Sequence, residues 1–464
     1  MVRHAELAEL DLPDFGYPSF EPKLGASIYL DRLERLRMRI QGKYSHVLVY
    51  GDREHSANIA YLSGYDPRFE EALLIIDIDE EQQWMLIGNE GIGYIETSPI
   101  KEQLKPVLYQ PFSLLAQDRT KSKPLKQIIQ ETGITANSNI GIAGWKYYTA
   151  QESPDPERWI EAPSYIVDTL RSITSNVTNA THIFMHQTEG LRATHEPEQL
   201  AVMEYAATLT SQAVRNVIYM IKPGMTEHQA VQFMKLNGYP HSVHLMLSTG
   251  PRAWIGLPSP TSKIIKRGEA FTTAFGLYGA LNCRAGWLID HESELPKSIS
   301  DYVEKLAAPY FEAAVAWLET ISIGVTGGKL YKAVHDRIGD PFYGIELNPG
   351  HLIGMDEWIN SPIYEDSVDR IKPGMALQVD IIPATGTDYF TINTEDGIAI
   401  ADLRIRNVFM EKYPEAWNRI TQRRDYMIEQ LGIRLQPEVL PFSNLAGHLP
   451  PFILNPSRAF RMTE

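Results

Sequence analysis

The sequence has little of several features that would point to particular classes of protein. It contains one cysteine, Cys283, so no disulfide can form within the chain. Chains that use no disulfides are typical of the reducing cytoplasm. No uninterrupted apolar run approaches the roughly 20 residues that cross a bilayer as a helix. We therefore expect a cytoplasmic protein that does not act in a membrane.

The sequence also has fewer basic than acidic residues. Lys and Arg number 43 against 58 for Asp and Glu, which gives a net charge of −15 and a pI near 5.4. Such a chain is repelled by phosphate backbones and anionic lipids, so nucleic acid and membranes are not expected as partners. The rest of the composition is that of a globular protein, with 44% hydrophobic and 22% charged residues. A length of 464 residues favours two domains over one.

Apolar runs and turn residues divide the chain into four segments. Residues 1–25 are predicted to form an N-terminal arm. Residues 26–187 alternate short apolar runs with helical patterns, which predicts an α/β domain. Residues 188–435 open on a long helix with Pro197 in its first turn and are predicted to form an α+β domain. Residues 436–464 are rich in Pro and Phe and form a C-terminal extension.

The α+β segment contains a repeated phrase. Residues 265–270 read Ile-Lys-Arg-Gly-Glu-Ala and residues 371–376 read Ile-Lys-Pro-Gly-Met-Ala, and after them Ala274 corresponds to Asp380. A second pair, residues 221–226 and 321–326, occurs in the same order at a similar spacing. Two such pairs predict that residues 195–401 are two related halves with an internal pseudo-twofold axis and a site between them.

Five short motifs follow one another along the chain, at residues 58–65, 191–198, 248–253, 350–356 and 394–398. They resemble stretches of the superfamily of creatinase, aminopeptidase P, prolidase and methionine aminopeptidase, the "pita-bread" proteins. The resemblance covers roughly residues 30–401. It implies a creatinase-like α/β N-terminal domain, an α+β pita-bread domain with pseudo-twofold symmetry, and a homodimer.

Most members of that superfamily bind two divalent metal ions through Asp, Asp, His, Glu and Glu. Carried over by position, the resemblance puts this set, in order, at Ala274, about Ala285, His351, Asp380 and Glu395. Both aspartates are replaced by alanine, so the carboxylate that would bridge two ions is missing. We therefore expect no metal cofactor, and a single divalent ion held by the remaining three side chains is the alternative.

Creatinase is the superfamily's precedent for chemistry without a metal ion, since it hydrolyses a C–N bond of a guanidino compound with a His and carboxylates. One of its stretches resembles residues 275–281. Its catalytic His, however, corresponds to Leu257 and its Glu to Asn282, so its own substrate and mechanism do not carry over.

Three residues are the predicted catalytic group. His351 follows a turn and is suited to proton transfer near neutral pH. Asp380 stands in an apolar strand, where a buried carboxylate needs a partner or a function, and Glu395 lies in a comparable stretch. A hydrogen-bonded structural role is the alternative for each of the three.

Four further residues are predicted to bind the substrate. The fork-shaped guanidinium of Arg252 suits a carboxylate or phosphate, with a structural ion pair as the alternative. Arg284 is also predicted to bind the substrate, because it lies next to Ala285, where the superfamily has its second aspartate. Tyr278 and Trp358 are predicted to line the pocket, although aromatic side chains are more often part of a core.

The leading hypothesis from the sequence is a metal-independent hydrolase that acts on a C–N or amide bond of a small molecule. One alternative is an Xaa-Pro peptidase with a reduced, single-metal site. The other is a non-catalytic binding protein that retains the peptidase fold. The expected partners are a small-molecule substrate and a second copy of the chain, and neither nucleic acid nor a membrane.

Overall fold

The computed structural model of the protein describes residues 3–79, 83–236 and 238–463. The chain divides into two compact units, Leu24–Ala193 and Met1–Lys23 together with Thr194–Glu464. Each unit has its own main sheet. Within the described ranges, none of the helices combines the length and the apolar character needed to cross a bilayer.

The smaller unit follows strand β1 (Ala5–Glu9), which belongs to the larger one. Its elements are, in chain order, α1 (Ala26–Ile40), β2 (His46–Gly51), α2 (Ala57–Ser63), β3 (Ala72–Asp77), β4 (Gln83–Ile87), α3 (Gly91–Tyr94), β5 (Leu104–Leu108), α4 (Leu125–Glu131), β6 (Ile140–Ala143), α5 (Ser164–Arg171), β7 (Val177–Asn179) and α6 (His182–Met185). The six strands form one mixed sheet in the order β5-β4-β3-β2-β6-β7.

Buried apolar runs explain the smaller unit. The strands β2 and β3 are buried over almost their whole length, as near-continuous hydrophobic runs predict. Helix α2 ends at Gly64, whose φ of 68° is a left-handed conformation that glycine adopts without strain. The α/β architecture predicted from the sequence is confirmed. Strand β5, which contains Lys105 and Pro106, lies at the edge of the sheet, where a missing N–H is tolerated.

The larger unit contains the remaining elements. They are α7 (Pro197–Met220), α8 (Glu227–Val231), β8 (Met246–Thr249), β9 (Ala270–Leu277), β10 (Ala280–Trp287), α9 (Ala308–Thr320), α10 (Gly327–Ile338), β11 (His351–Leu352), β12 (Ala376–Asp380), β13 (Asn393–Ile400), α11 (Leu403–Lys412), α12 (Pro414–Asp425), β14 (Val439–Pro441) and β15 (Arg458–Met462). The main sheet runs β11-β12-β13-β10-β9-β8, with β14 also paired to β13.

The predicted internal repeat is confirmed in the backbone. In the first half the N–H of Gly224 donates to Ile265 O at 2.9 Å, and in the second half the N–H of Gly324 donates to Ile371 O at 2.8 Å. Thr226 and Thr326 each make an isolated antiparallel bridge to the chain just before these isoleucines. The two halves therefore lead into β9 and β12 through the same turn, and the pseudo-twofold axis passes between β10 and β13.

The two terminal segments are built into the larger unit. Strand β1 pairs antiparallel with β15, from Ala5 opposite Met462 to Glu9 opposite Arg458. Strand β14 adds to the main sheet beside β13. The residues expected as an arm (1–25) and as an extension (436–464) thus contribute strands to one compact body, because their unpaired backbone groups find partners there.

Candidate functional site

The sheet register brings a row of four side chains onto one face. Ala274 of β9 lies opposite Cys283 of β10, Cys283 lies opposite Glu395 of β13, and Glu395 lies opposite Asp380 of β12. Directly opposed residues of antiparallel strands have their side chains on the same face. Two acids therefore stand side by side at one end of this row, and a methyl group and a thiol stand at the other.

His351 joins the two acids from the neighbouring strand. Its Nε2 lies 3.8 Å from Asp380 Oδ2 and 3.7 Å from Glu395 Oε1. Its Nδ1 lies 3.2 Å from Leu352 O, which holds the ring in place. The imidazole has no exposed surface, and the two acids are buried. The structure therefore brings together the three residues predicted to be catalytic; their catalytic role stays a prediction.

Sequence reasoning missed a fourth ionisable group, Glu357. Its Oε1 lies 3.1 Å from His351 Nε2, although the two are not aligned as a hydrogen bond. The next residue, Trp358, stacks on the His351 ring at a centroid distance of 4.1 Å and an angle of 20°. Both residues belong to a loop after β11, so the spacing of acid and aromatic after His351 was the only sequence signal for the pair.

Gln378 was also missed. It lies opposite His351 in the register between β11 and β12. Its Nε2 donates to Leu281 O at 2.6 Å and to Glu395 Oε1 at 3.2 Å. Gln378 therefore orients the carboxylate of Glu395 from within the sheet.

Burial and mutual charge shift the proton affinities of this cluster. Burial opposes a charge on His351, but Glu357 and Glu395 outweigh it and raise the pKa of the imidazole well above its ordinary value. Burial is the main reason that the pKa of Asp380 rises to about 6 and the pKa of Glu395 to about 8. The cluster thus holds protons that solvent-exposed carboxylates would release at neutral pH.

A cavity of about 550 Å³ opens over this face of the sheet. Glu357, Trp358, Asp380 and Glu395 line it, together with Ala274 and Cys283 from the row. Its other walls are mainly apolar, formed by Val243, Met246, Trp254, Leu257, Leu281, Leu347, Ile382, Pro383 and Phe390. An apolar pocket with a few convergent polar groups is typical of a small-molecule site.

Arg284 does not face this cavity, contrary to the sequence-based expectation. Side chains alternate along a strand, so Arg284 points away from the face that carries Cys283. It has no exposed surface and donates to Asp396 Oδ2 at 2.9 Å and to His448 O at 3.0 Å. Arg284 thereby neutralises a buried aspartate behind the sheet.

Arg252 and Tyr278 also lie outside the cavity lining. Arg252 forms an ion pair with the buried Glu227 and donates to Ser259 O at 2.7 Å, which matches the structural alternative given for it above. Tyr278 stands in the turn between β9 and β10. Of the four predicted substrate-binding residues, the structure places Trp358 in the cavity and the other three elsewhere.

The residues of the site fit one divalent ion. One ligand atom each from His351, Asp380 and Glu395 lie within 4.8 Å of one another. His351 Nε2 and Asp380 Oδ1 are buried and make no hydrogen bond. An imidazole and two carboxylates form a ligand set that suits several divalent metals.

The same residues do not fit a second ion. At the other end of the row Ala274 offers a methyl group, and burial raises the pKa of the Cys283 thiol to about 12, so the sulfur carries a proton at neutral pH. The resemblance put the second aspartate at Ala285. Ala285 lies two residues beyond Cys283 on β10, opposite Thr272 and Asn393. The register therefore gives Cys283, and not Ala285, the position between Ala274 and Glu395.

Comparisons with known proteins agree with this fold. Residues 201–405 match the model of metallopeptidase family M24. The "uncharacterized peptidase YqhT" of Bacillus subtilis is 24% identical over 229 residues, which are 46% of this chain and 61% of that protein. This chain thus spans less than two thirds of that relative's length.

Solved structures with a similar fold extend further along the chain. Prolidase from Thermococcus sibiricus matches with a TM-score of 0.62 at 15% identity, covering 81% of this chain and 95% of that one. Xaa-Pro dipeptidase from Bacillus anthracis matches with a TM-score of 0.59 at 16% identity, covering 80% and 94%. Motifs, fold and family match agree: residues 201–405 resemble metallopeptidase family M24, and the chain has the pita-bread fold of the prolidases.

Proposed function

We propose that this protein is a hydrolase that cleaves an amide or another C–N bond of a small molecule without a two-ion centre. One observation carries the proposal: His351 is buried within 3.1–3.8 Å of three carboxylates at the wall of a cavity of about 550 Å³. Burying three carboxylates around one histidine is costly, and such clusters are typical of functional sites.

The side chains divide the proton transfers of hydrolysis between them. A carboxylate such as Asp380 accepts a proton from the attacking water, and the imidazolium of His351 donates one from Nε2 to the leaving nitrogen. Glu395, which receives a hydrogen bond from Gln378, orients the water or the substrate. Trp358 fixes the plane of the His351 ring by stacking on it.

A single divalent ion is the second candidate feature of this site, supported by the two buried atoms that make no hydrogen bond. His351, Asp380 and Glu395 would hold it. When bound, such an ion acts as a Lewis acid towards a carbonyl oxygen and lowers the pKa of bound water. Together with the names of the structural neighbours, this supports an Xaa-Pro peptidase with a reduced site as the second candidate function.

The test is turnover by the purified protein of a panel of small amides, guanidino compounds and Xaa-Pro dipeptides, with its metal content measured. For the metal-independent hydrolase we expect turnover that survives dialysis against a chelator and falls by about 10²–10⁴ in His351→Ala. The exposed His228 provides the matched control, since His228→Ala should leave the rate unchanged. Two stoichiometric ions in the active protein would contradict the proposal.

The other readings have their own signatures. Turnover of Xaa-Pro dipeptides that is lost with chelator and restored by Mn²⁺ would favour the single-ion peptidase. No turnover of any substrate in the panel would favour the binding protein.

We further propose, on resemblance alone, a cytoplasmic homodimer, for which light scattering should give about twice the chain mass of 52.5 kDa.

A further inference from the structure

The charges that face the cavity are of one sign apart from histidine. Among the described residues that line it, Glu357, Asp380 and Glu395 are acidic and none is Lys or Arg. Two arginines stand next in the sequence to lining residues, but both are engaged elsewhere. Arg252 pairs with Glu227 and Arg284 with Asp396. No guanidinium or ammonium group of the lining is therefore available to an anionic ligand.

Two buried polar atoms lie behind the acidic part of the cavity lining without a hydrogen bond. Asp380 Oδ1 makes no hydrogen bond, and His351 Nε2 makes none either, although Glu357 Oε1 lies 3.1 Å from it. A buried polar atom left without a partner costs free energy, so a ligand that offers a donor to the carboxylate removes part of that cost. This observation is independent of the count of acids, and it indicates a hydrogen-bond donor on the bound molecule.

The outer walls present aromatic faces. Trp254 and Phe390 stack at a centroid distance of 6.0 Å and an angle of 29°, and Trp358 lines the cavity beside the acids. Trp254 is 47% exposed, so it borders the mouth of the cavity. Organic cations are attracted to the faces of aromatic rings, and tryptophan attracts them best. The apolar part of a ligand would be stabilised against the neighbouring Leu257 and Ile382, because its contact there removes apolar surface from water.

We propose that the substrate of this site is a cationic amide or amine derivative, with an ammonium or guanidinium group, an apolar body and no carboxylate. This inference rests on the proposed hydrolase function and names its substrate class. A carboxylate in the same cavity would meet three acids and no Lys or Arg, and the buried imidazolium of His351 is already surrounded by those acids, so the carboxylate would be repelled at close range. Dipeptides with a free C-terminal carboxylate are therefore poor substrates, and their C-terminal amides are better ones.

Binding of three probes of one size tests the proposal without requiring turnover. Phenethylammonium, 2-phenylethanol and 3-phenylpropionate share a phenyl body and differ in charge. Titration calorimetry of the full-length, chelator-dialysed protein at neutral pH should give phenethylammonium an affinity at least about tenfold above that of the alcohol. The anion should show no saturable binding. Equal binding of all three probes, tighter binding of the anion, or no binding of any probe would overturn the proposal.

A pair of conservative variants places the binding in the cavity. Glu357→Gln removes one lining charge and should weaken phenethylammonium by at least about fivefold while leaving 2-phenylethanol unchanged. Glu96→Gln removes an exposed acid of the smaller unit and should change neither affinity. An unchanged cation affinity in Glu357→Gln would mean that the cation binds elsewhere and would overturn the assignment.

The binding results and the turnover results can fail separately. Selective binding of the cation with no turnover of any amide would leave the ligand class standing and remove the hydrolase. Turnover of a carboxylate-bearing amide, with no preference for the ammonium probe, would leave the hydrolase standing and remove the ligand class.

Discussion

Ala274 and Asp380 occupy equivalent positions in the two halves of the larger unit, each six residues beyond a turn glycine with positive φ, Gly268 at 81° and Gly374 at 87°. In the sheet they stand in one row, separated by Cys283 and Glu395. One half of the site therefore supplies a carboxylate where the other supplies a methyl group. The two halves thus share a backbone arrangement and differ in the side chains that it carries.

Introducing two acids at the other end of the row should therefore create a site for a second ion. We predict that the double variant Ala274→Asp, Cys283→Asp binds one more Mn²⁺ per chain than the parent, because both positions face Glu395 across the row. Titration calorimetry and elemental analysis after gel filtration measure the stoichiometry.

A second pairing provides the control for that experiment. The control is the double variant Ala274→Asp, Ala285→Asp. Its second acid stands opposite Thr272 and Asn393, and Asn393 is two residues away from Glu395 along β13. We expect no additional ion in this variant. An additional ion there, and none in the variant with Cys283→Asp, would show that the ligand position follows the sequence alignment and not the sheet register.

The sequence predicts the strands and the acidic residues of this site, but not which residue of β10 faces Glu395. The strands were predictable because runs such as 72–77 are apolar throughout, and the repeat was predictable because its turn residues are kept. His351, Asp380 and Glu395 were predictable from motifs in their order. The position of Cys283 depends on the length of the turn between β9 and β10, which sets the register and cannot be read from motif spacing.

The roles of single side chains were harder to predict for the same physical reason. Arg284 lies next to a lining residue in the sequence, yet strand alternation turns it to the opposite face, where Asp396 neutralises it. Glu357 approaches His351 only because the loop after β11 folds back over the sheet. Loop conformation depends on tertiary packing and has no local signature in the sequence.

Arg284 should therefore affect stability and not ligand binding. Arg284→Met leaves Asp396 buried without its guanidinium partner and should lower the free energy of unfolding by about 3–5 kcal/mol. Urea denaturation measures this loss, and phenethylammonium affinity at low temperature should change by less than about twofold. A variant with unchanged stability and impaired phenethylammonium binding would instead support the sequence-based prediction that Arg284 binds the substrate.

Glu204 carries a second buried ion network, on helix α7. It has no exposed surface, and its carboxylate accepts from Arg419 Nη2 at 2.6 Å and from Arg423 Nη1 at 2.7 Å. Glu204→Gln leaves two buried arginines short of a counter-charge and should cost about 3–5 kcal/mol of unfolding free energy. The matched control is Glu198→Gln on the same helix, whose ion pair with the largely exposed Lys412 should be worth less than about 1 kcal/mol.

The same network predicts a pH dependence. Burial would raise the pKa of Glu204, but Arg423 and Arg419 outweigh it and hold that pKa below its ordinary value. A carboxyl with a lowered pKa in the folded state stabilises the protein fully above its unfolded pKa, which is about 4.3, and loses that contribution as the pH falls through the lowered value. The stability difference between the parent and Glu204→Gln should be constant from pH 7 to pH 5 and should shrink below about pH 4. A difference that grows on acidification would contradict the network.

The two turn glycines allow backbone strain to be separated from steric contact. Gly268 and Gly374 both have positive φ, so an alanine at either position is strained by about 1–2 kcal/mol. A Cβ at Gly268 would meet nothing within 4 Å, whereas a Cβ at Gly374 would lie 2.9 Å from His195 O. Since the N–H of His195 also donates to Gly374 O at 2.8 Å, the backbone there cannot shift without losing this bond. Gly374→Ala should therefore destabilise the protein by about 1–3 kcal/mol more than Gly268→Ala in urea denaturation, and equal losses would mean that strain alone decides both.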